Sequence, residues 1–71
     1  MNNLIDIKGY RVVYDWVEYS GLAVQYTVID KINRNGLTFY DAHFLTVYVL
    51  DRNGHLQTLY DFTDMFTFVK E

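Results

Sequence analysis

The chain contains no cysteine and no proline. Without cysteine no disulfide can staple the fold and no thiolate can hold a metal, a usage that suits a reducing compartment. Without proline the chain has no rigid break, and no low-complexity stretch or linker divides it. Serine occurs once, as Ser20 beside Gly21, and no Gly-x-Ser-x-Gly elbow or phosphate-cradling glycine loop is present. Nucleophilic and nucleotide chemistry therefore lack their usual residues. Cations are also scarce. Six Lys and Arg stand against nine Asp and Glu, a net charge of −3. With no Lys/Arg cluster, attraction to a phosphate backbone is excluded as the main source of affinity. The acids are spread along the chain and form no run that imitates a nucleic acid. No apolar run approaches the roughly 20 residues of a membrane-spanning helix. The opening Met1–Lys8 lacks the basic and apolar regions of a signal peptide, so a cytoplasmic protein is expected.

What is present is a small β-rich chain. Its 71 residues, 51% of them apolar, make one domain with one small core. A chain this short buries only about 60–65% of its unfolded surface, so its stability is marginal without outside help. Asn35-Gly36 and Asn53-Gly54 are strong hairpin signals, and Ser20-Gly21 is a weaker one. The segments between them are rich in Val, Ile, Tyr, Phe and Thr, which suit a pleated, half-buried surface. Four strands are expected: Tyr10–Tyr19, Leu22–Ile32, Leu37–Leu50 and His55–Tyr60. The fold class is a mainly β meander of four to five antiparallel strands with at most one or two short helices. Two segments stay open. Residues 22–33 also place Tyr26, Ile29 and Asn33 on one helical face. Residues 62–70 read either as a helix capped by Thr63 or as a fifth strand.

Two-residue loops at the three turn signals fix a register. They pair Arg11 with Asp30, Ile32 with Phe39, Tyr26 with Leu45, Val24 with Val47, Leu22 with Val49, Val47 with Tyr60 and Leu45 with Phe62. One face then gathers Val13, Val17, Tyr19, Leu22, Val24, Tyr26, Val28, Ile32, Phe39, Leu45, Val47, Val49, Leu56 and Tyr60. Two flaws accompany this register: Asp30 faces Asp41, and the third strand is unusually long. A bulge near Asp41-Ala42-His43 would relieve both.

The opposite face carries Tyr10, Val12, Tyr14, Trp16, Ile29, Tyr40, Phe44, Tyr48, Leu50 and Leu59, where an ordinary one-sided sheet is polar. Exposed aromatic patches mark interfaces. Tyr10, Tyr14, Trp16, Tyr40, Phe44 and Tyr48 are accordingly the expected partner-binding residues. Internal cover by Leu4, Ile5, Ile7 and the C-terminal stripe is the competing account. Base stacking on the aromatic face is disfavoured because Lys31 is its lone cation. Asp51-Arg52-Asn53-Gly54 reads as a turn and not a calcium loop, since the twelfth position is Phe62. His43 and His55 lie on opposite expected faces and do not share a metal. No cofactor or metal, and no enzymatic activity, is expected.

The expected function is a non-catalytic protein-binding module. Excess apolar surface further suggests a homodimer. Phe, Tyr, Met, Ile, Asn and Lys total 26 residues, against 9 for Gly, Ala, Arg and Pro, which points to AT-rich coding. A small accessory protein of a bacteriophage or mobile element that inhibits a host enzyme or defence complex fits these features. The alternative is a small-ligand-binding homo-oligomer whose subunits enclose Tyr14, Trp16, Tyr40 and Tyr48, with Arg11 or His43 supplying polarity.

Overall fold

Residues 3–71 are described by a computed structural model, and most of them are extended. The strands are β1 (Leu4–Asp6), β2 (Tyr10–Tyr14), β3 (Val17–Arg34), β4 (Leu37–Leu50), β5 (Leu56–Phe62) and β6 (Phe66–Lys70). They form one antiparallel sheet in the order β5-β4-β3-β2-β6, with β1 added to β3. A 3-10 turn, Thr63–Met65, is the single helical element among the described residues. The mainly β expectation therefore holds, and residues 22–33 are strand throughout. Their Val, Thr and Ile side chains, branched at Cβ, favour that conformation. Residues 62–70 divide between turn and strand, and the Thr63 side chain makes no cap.

The turns correct part of the expected register. At Asn35-Gly36 both residues have positive φ, and the β3–β4 pairs Ile32–Phe39, Tyr26–Leu45 and Val24–Val47 are as expected. At Ser20-Gly21 there is no turn. The chain reverses instead at Asp15-Trp16, with φ of 52° and 68°, so Tyr14 faces Val17 and Val12 faces Tyr19. Arg11 consequently pairs with Glu18 at 3.4 Å and not with Asp30. Gly21 is required for a different reason. A Cβ there would lie 2.7 Å from the Ile7 carbonyl oxygen, where β1 leads past β3. The ladder shifts just after it, so Gly21 and not Leu22 faces Val49. At Asn53-Gly54 only the glycine has positive φ. The Asp51 N–H donates to the His55 carbonyl at 2.9 Å, which closes a three-residue loop. That extra residue slips β5 by one. Val47 faces Leu59 and Leu45 faces Asp61, so Leu56 and Tyr60 turn away from the core face.

β4 does run uninterrupted from Leu37 to Leu50. The like-charge clash is relieved at Asp41, whose φ of 51° lifts it out of the ladder while Ile29–Ala42 and Lys31–Tyr40 keep the same register on either side.

The sheet cannot be flat. β5 and β6 lie at opposite edges, four strand spacings apart, which is about 19 Å in a flat layer. A three-residue 3-10 turn advances only about 6 Å. The sheet therefore curls until the edges approach, giving a partly open barrel in which β5 and β6 are not hydrogen-bonded. The curl is strongly sheared: the row Phe62–Phe44–Thr27 crosses β3 ten residues beyond the row Phe66–Tyr14–Val17. The inner face gathers Ile7, Val12, Val24, Val47, Val49 and Phe66, with Tyr10, Tyr14, Tyr19, Leu45, Leu59 and Phe68 packed on them. The two faces read from the sequence are thus merged. Val12, Tyr10, Tyr14 and Leu59 join the core, while Val17, Tyr26 and Val28 are exposed. Of the N-terminal segment only Ile7 is buried; Leu4 and Ile5 remain exposed.

Gly21→Ala should lower the unfolding free energy by about 1–3 kcal/mol, because the backbone of β1 must move to admit the methyl. Urea denaturation checks this. An unchanged midpoint would show that β1 does not pack as described.

Candidate functional site

β1 and β2 pair with β3 only up to Gln25, and β5 pairs with β4 only from Phe44 onward. Beyond these limits β3 and β4 continue as a two-stranded arm. Along a straight strand Arg34 would sit about 23 Å past the Thr27–Phe44–Phe62 row. Its guanidinium is instead 2.8 Å from Asp61, next to that row. The arm therefore doubles back, and the left-handed Asp41 marks a bend in it.

Asp61 holds the arm in place. Its carboxylate is 4% exposed and accepts hydrogen bonds from the Tyr14 hydroxyl at 2.7 Å, the Phe62 N–H at 2.8 Å and Arg34. Burial pushes its pKa up. The three donors and the Arg34 charge outweigh burial and hold it below the usual carboxylate range. The same hydrogen bond, followed by burial, raises the pKa of the Tyr14 phenol. Asp61 is thus held ionised with its lone pairs engaged, a structural hub and not a proton acceptor awaiting substrate.

Aromatic packing continues from the hub. Arg34 lies 5.3 Å from the Phe62 ring centre. Phe62 contacts Phe39 at 5.1 Å and Phe44 at 4.4 Å, and Phe44 stacks on Tyr60 at 4.8 Å. Where the arm meets the 3-10 turn this packing leaves a hollow of about 490 Å³, open to solvent. Ala42 and Phe62 line it together with Phe39, Tyr40 and Met65, and Asp41, His43, Thr63 and Asp64 supply its polar groups. Tyr40 and Met65 are 69% and 54% exposed. A smaller depression of about 220 Å³, lined by Arg34, Leu37 and Asp61, shares Phe39, Phe62 and Met65 with it. The Tyr26 hydroxyl hydrogen-bonds the His43 ring, and the two rings stack.

The six residues singled out from the sequence do not form one surface. Tyr40 lines the hollow and Phe44 is buried in the aromatic packing behind it. Tyr14 acts from inside the barrel through Asp61. Tyr10 packs on the core, and Tyr48 is half-buried on the outer face across from Thr58. Trp16 stands alone at the β2–β3 tip, 95% exposed. Tyr14, Trp16, Tyr40 and Tyr48 therefore do not converge on a pocket in one subunit. Sequence reasoning missed Arg34, Asp61, Asp64 and Met65. The available signal was an acid, Asp61, set between two aromatic residues on a strand. No group of three or more His, Asp or Glu able to hold a metal occurs among the described residues, and no helix there is long and apolar enough to cross a membrane.

No family model matches the chain, and comparison with curated proteins and with solved structures likewise finds no match. The site is accordingly read from its own geometry.

Because the Asp61 pKa is lowered on folding, its stabilisation is present above the usual carboxylate pKa of about 3.9 and is lost as the pH falls through and below that value. Asp61→Asn should cost about 2–3 kcal/mol at neutral pH, and its stability should fall less steeply in acid than that of wild type. Urea midpoints between pH 2 and 7 read both effects.

Proposed function

We propose that this chain is a non-catalytic protein-binding module that engages its partner through the hollow between the β3–β4 arm and the 3-10 turn. One observation carries the reading: Tyr40 and Met65 are largely exposed beside a depression lined by Phe39 and Phe62, which pack on each other and, through Phe62, on the buried Phe44. Aromatic and methionine side chains around a preformed hollow are the residues that supply binding energy at interface centres. Nothing in the hollow pairs a nucleophile with a base, and Asp61 beneath it is committed to its donors. Small size, net negative charge and AT-rich coding support a cytoplasmic accessory protein of a bacteriophage or mobile element, directed against a host enzyme or defence complex.

The test is affinity capture from a bacterial lysate with three forms of the chain. A Tyr40→Ala/Met65→Ala variant should lose at least about tenfold in recovery of a specific partner, while Trp16→Ala should retain it. The reverse pattern would move the interface to the β2–β3 tip, and equal recovery by all three would remove this reading. Sedimentation equilibrium of the purified chain tests whether that partner is a second copy.

A further inference from the structure

The hollow has a second property, which concerns the backbone. It is lined by five consecutive residues of β4, Phe39–His43, and by four consecutive residues that run from the end of the β4–β5 ladder through the turn, Phe62–Met65. Consecutive residues alternate faces, so such a lining belongs to a strand edge and not to a sheet face. β5 leaves β4 at Phe44–Phe62, and the chain turns aside through Thr63–Met65. The edge of β4 from Phe39 to His43 is thus left without a strand partner among the described residues. The space beside it is where a longer β5 would have run.

We propose that this place is filled by an extended segment of the partner protein that carries an arginine or lysine next to a large apolar side chain; the proposal rests on the protein-binding reading above. Main-chain hydrogen bonds to the open edge would supply affinity, and alternate side chains would supply specificity. The charge is complementary to a cation. Asp41 and Asp64 line the hollow, and no Lys or Arg does. The nearest guanidinium, Arg34, is engaged by Asp61, and Lys31, across the ladder from Tyr40, lies outside the lining. The exposed Tyr40 ring offers a face on which a guanidinium stacks. Met65, Phe62 and Ala42 offer the apolar contact for the neighbouring side chain. A volume of about 490 Å³ falls within the range of binding pockets, and its open form admits a chain passing through.

Two capped, fluorescein-labelled peptides test the proposal on the full chain by fluorescence anisotropy: GTRLRVRLTG and its acidic counterpart GTELEVELTG. The basic peptide should bind saturably, weaken as salt is raised, and lose about tenfold or more in affinity to Asp41→Asn/Asp64→Asn and to Met65→Ala. Asparagine is chosen at position 41 because it tolerates the left-handed backbone, and far-UV circular dichroism confirms that each variant is folded. Backbone amide shifts in NMR should concentrate on residues 39–43 and 62–65. Equal binding of the acidic peptide, indifference to the variants, shifts centred elsewhere, or no saturable binding up to about 1 mM would overturn the proposal. If lysate capture still depends on Tyr40 and Met65 while the basic peptide fails, the protein-binding reading stands and the chemistry assigned to the segment falls. If both fail, both fall.

Discussion

Thr63–Met65 joins the last strand at one edge of the sheet to the strand at the other. So short a connection is incompatible with a flat layer, and the remaining features follow from the curl it imposes. Curling turns one face into an interior. Valines from β2, β3 and β4 meet there with Phe66, so the described residues bury a core with no covering helix, and a chain without cysteine does so with no disulfide. Curling also brings Tyr14 of β2 against Asp61 of β5, although two strands separate them in the sheet.

Asp61 then links the barrel to the arm. A buried carboxylate is costly unless its lone pairs are occupied, and here the donors come from β2, from β5 itself and from the tip of the arm. Removing any one of them leaves the others facing an under-satisfied charge. The backward fold of the arm is therefore tied to closure of the barrel, and the hollow exists because both occur together. Its aromatic lining is packed for the same reason: Phe62 belongs to the sheet and rests on the buried Phe44, while Phe39 is delivered by the arm. The exposed Tyr40 and Met65 thus stand on a prepared surface, an arrangement that lowers the ordering cost of any contact made there.

The parts of this arrangement that were legible in the sequence are those set by local chemistry. Asn35-Gly36 determined the β3–β4 register, since both residues accept positive φ, and Leu37–Leu50 followed from its Val, Tyr and Thr content. Asn53-Gly54 carries the same dipeptide, yet Asp51 accepts the Asn53 and His55 N–H groups and steers the chain into a three-residue loop, which reverses the faces of β5. Gly21 resembled a turn glycine, but its role is close packing against Ile7, a contact between segments distant in sequence. Asp15-Trp16 carries only half a turn signal, because Asp accepts positive φ whereas a bulky residue such as Trp is rarely chosen for such a site. Of the six aromatic residues taken as one face, only Tyr40 lines the hollow. Alternation predicts which side of a strand a residue occupies, but it does not reveal that the sheet closes on itself.

The same closure governs the order in which the molecule can assemble. Pairing of β3 with β4 and of β4 with β5 joins strands that are adjacent in sequence, through short loops whose ends meet readily. The β2–β6 ladder instead pairs Tyr10 with Lys70 and Tyr14 with Phe66, bringing together strands that are far apart in sequence. That encounter gains little until the intervening strands have curled, so the entropy of the whole chain weighs on a single late step. Until β6 docks, the outer edge of β2 stays unpaired and the inner valines lack the cover of Phe66. For this fold, docking of β6 on β2 and full burial of the core are one event.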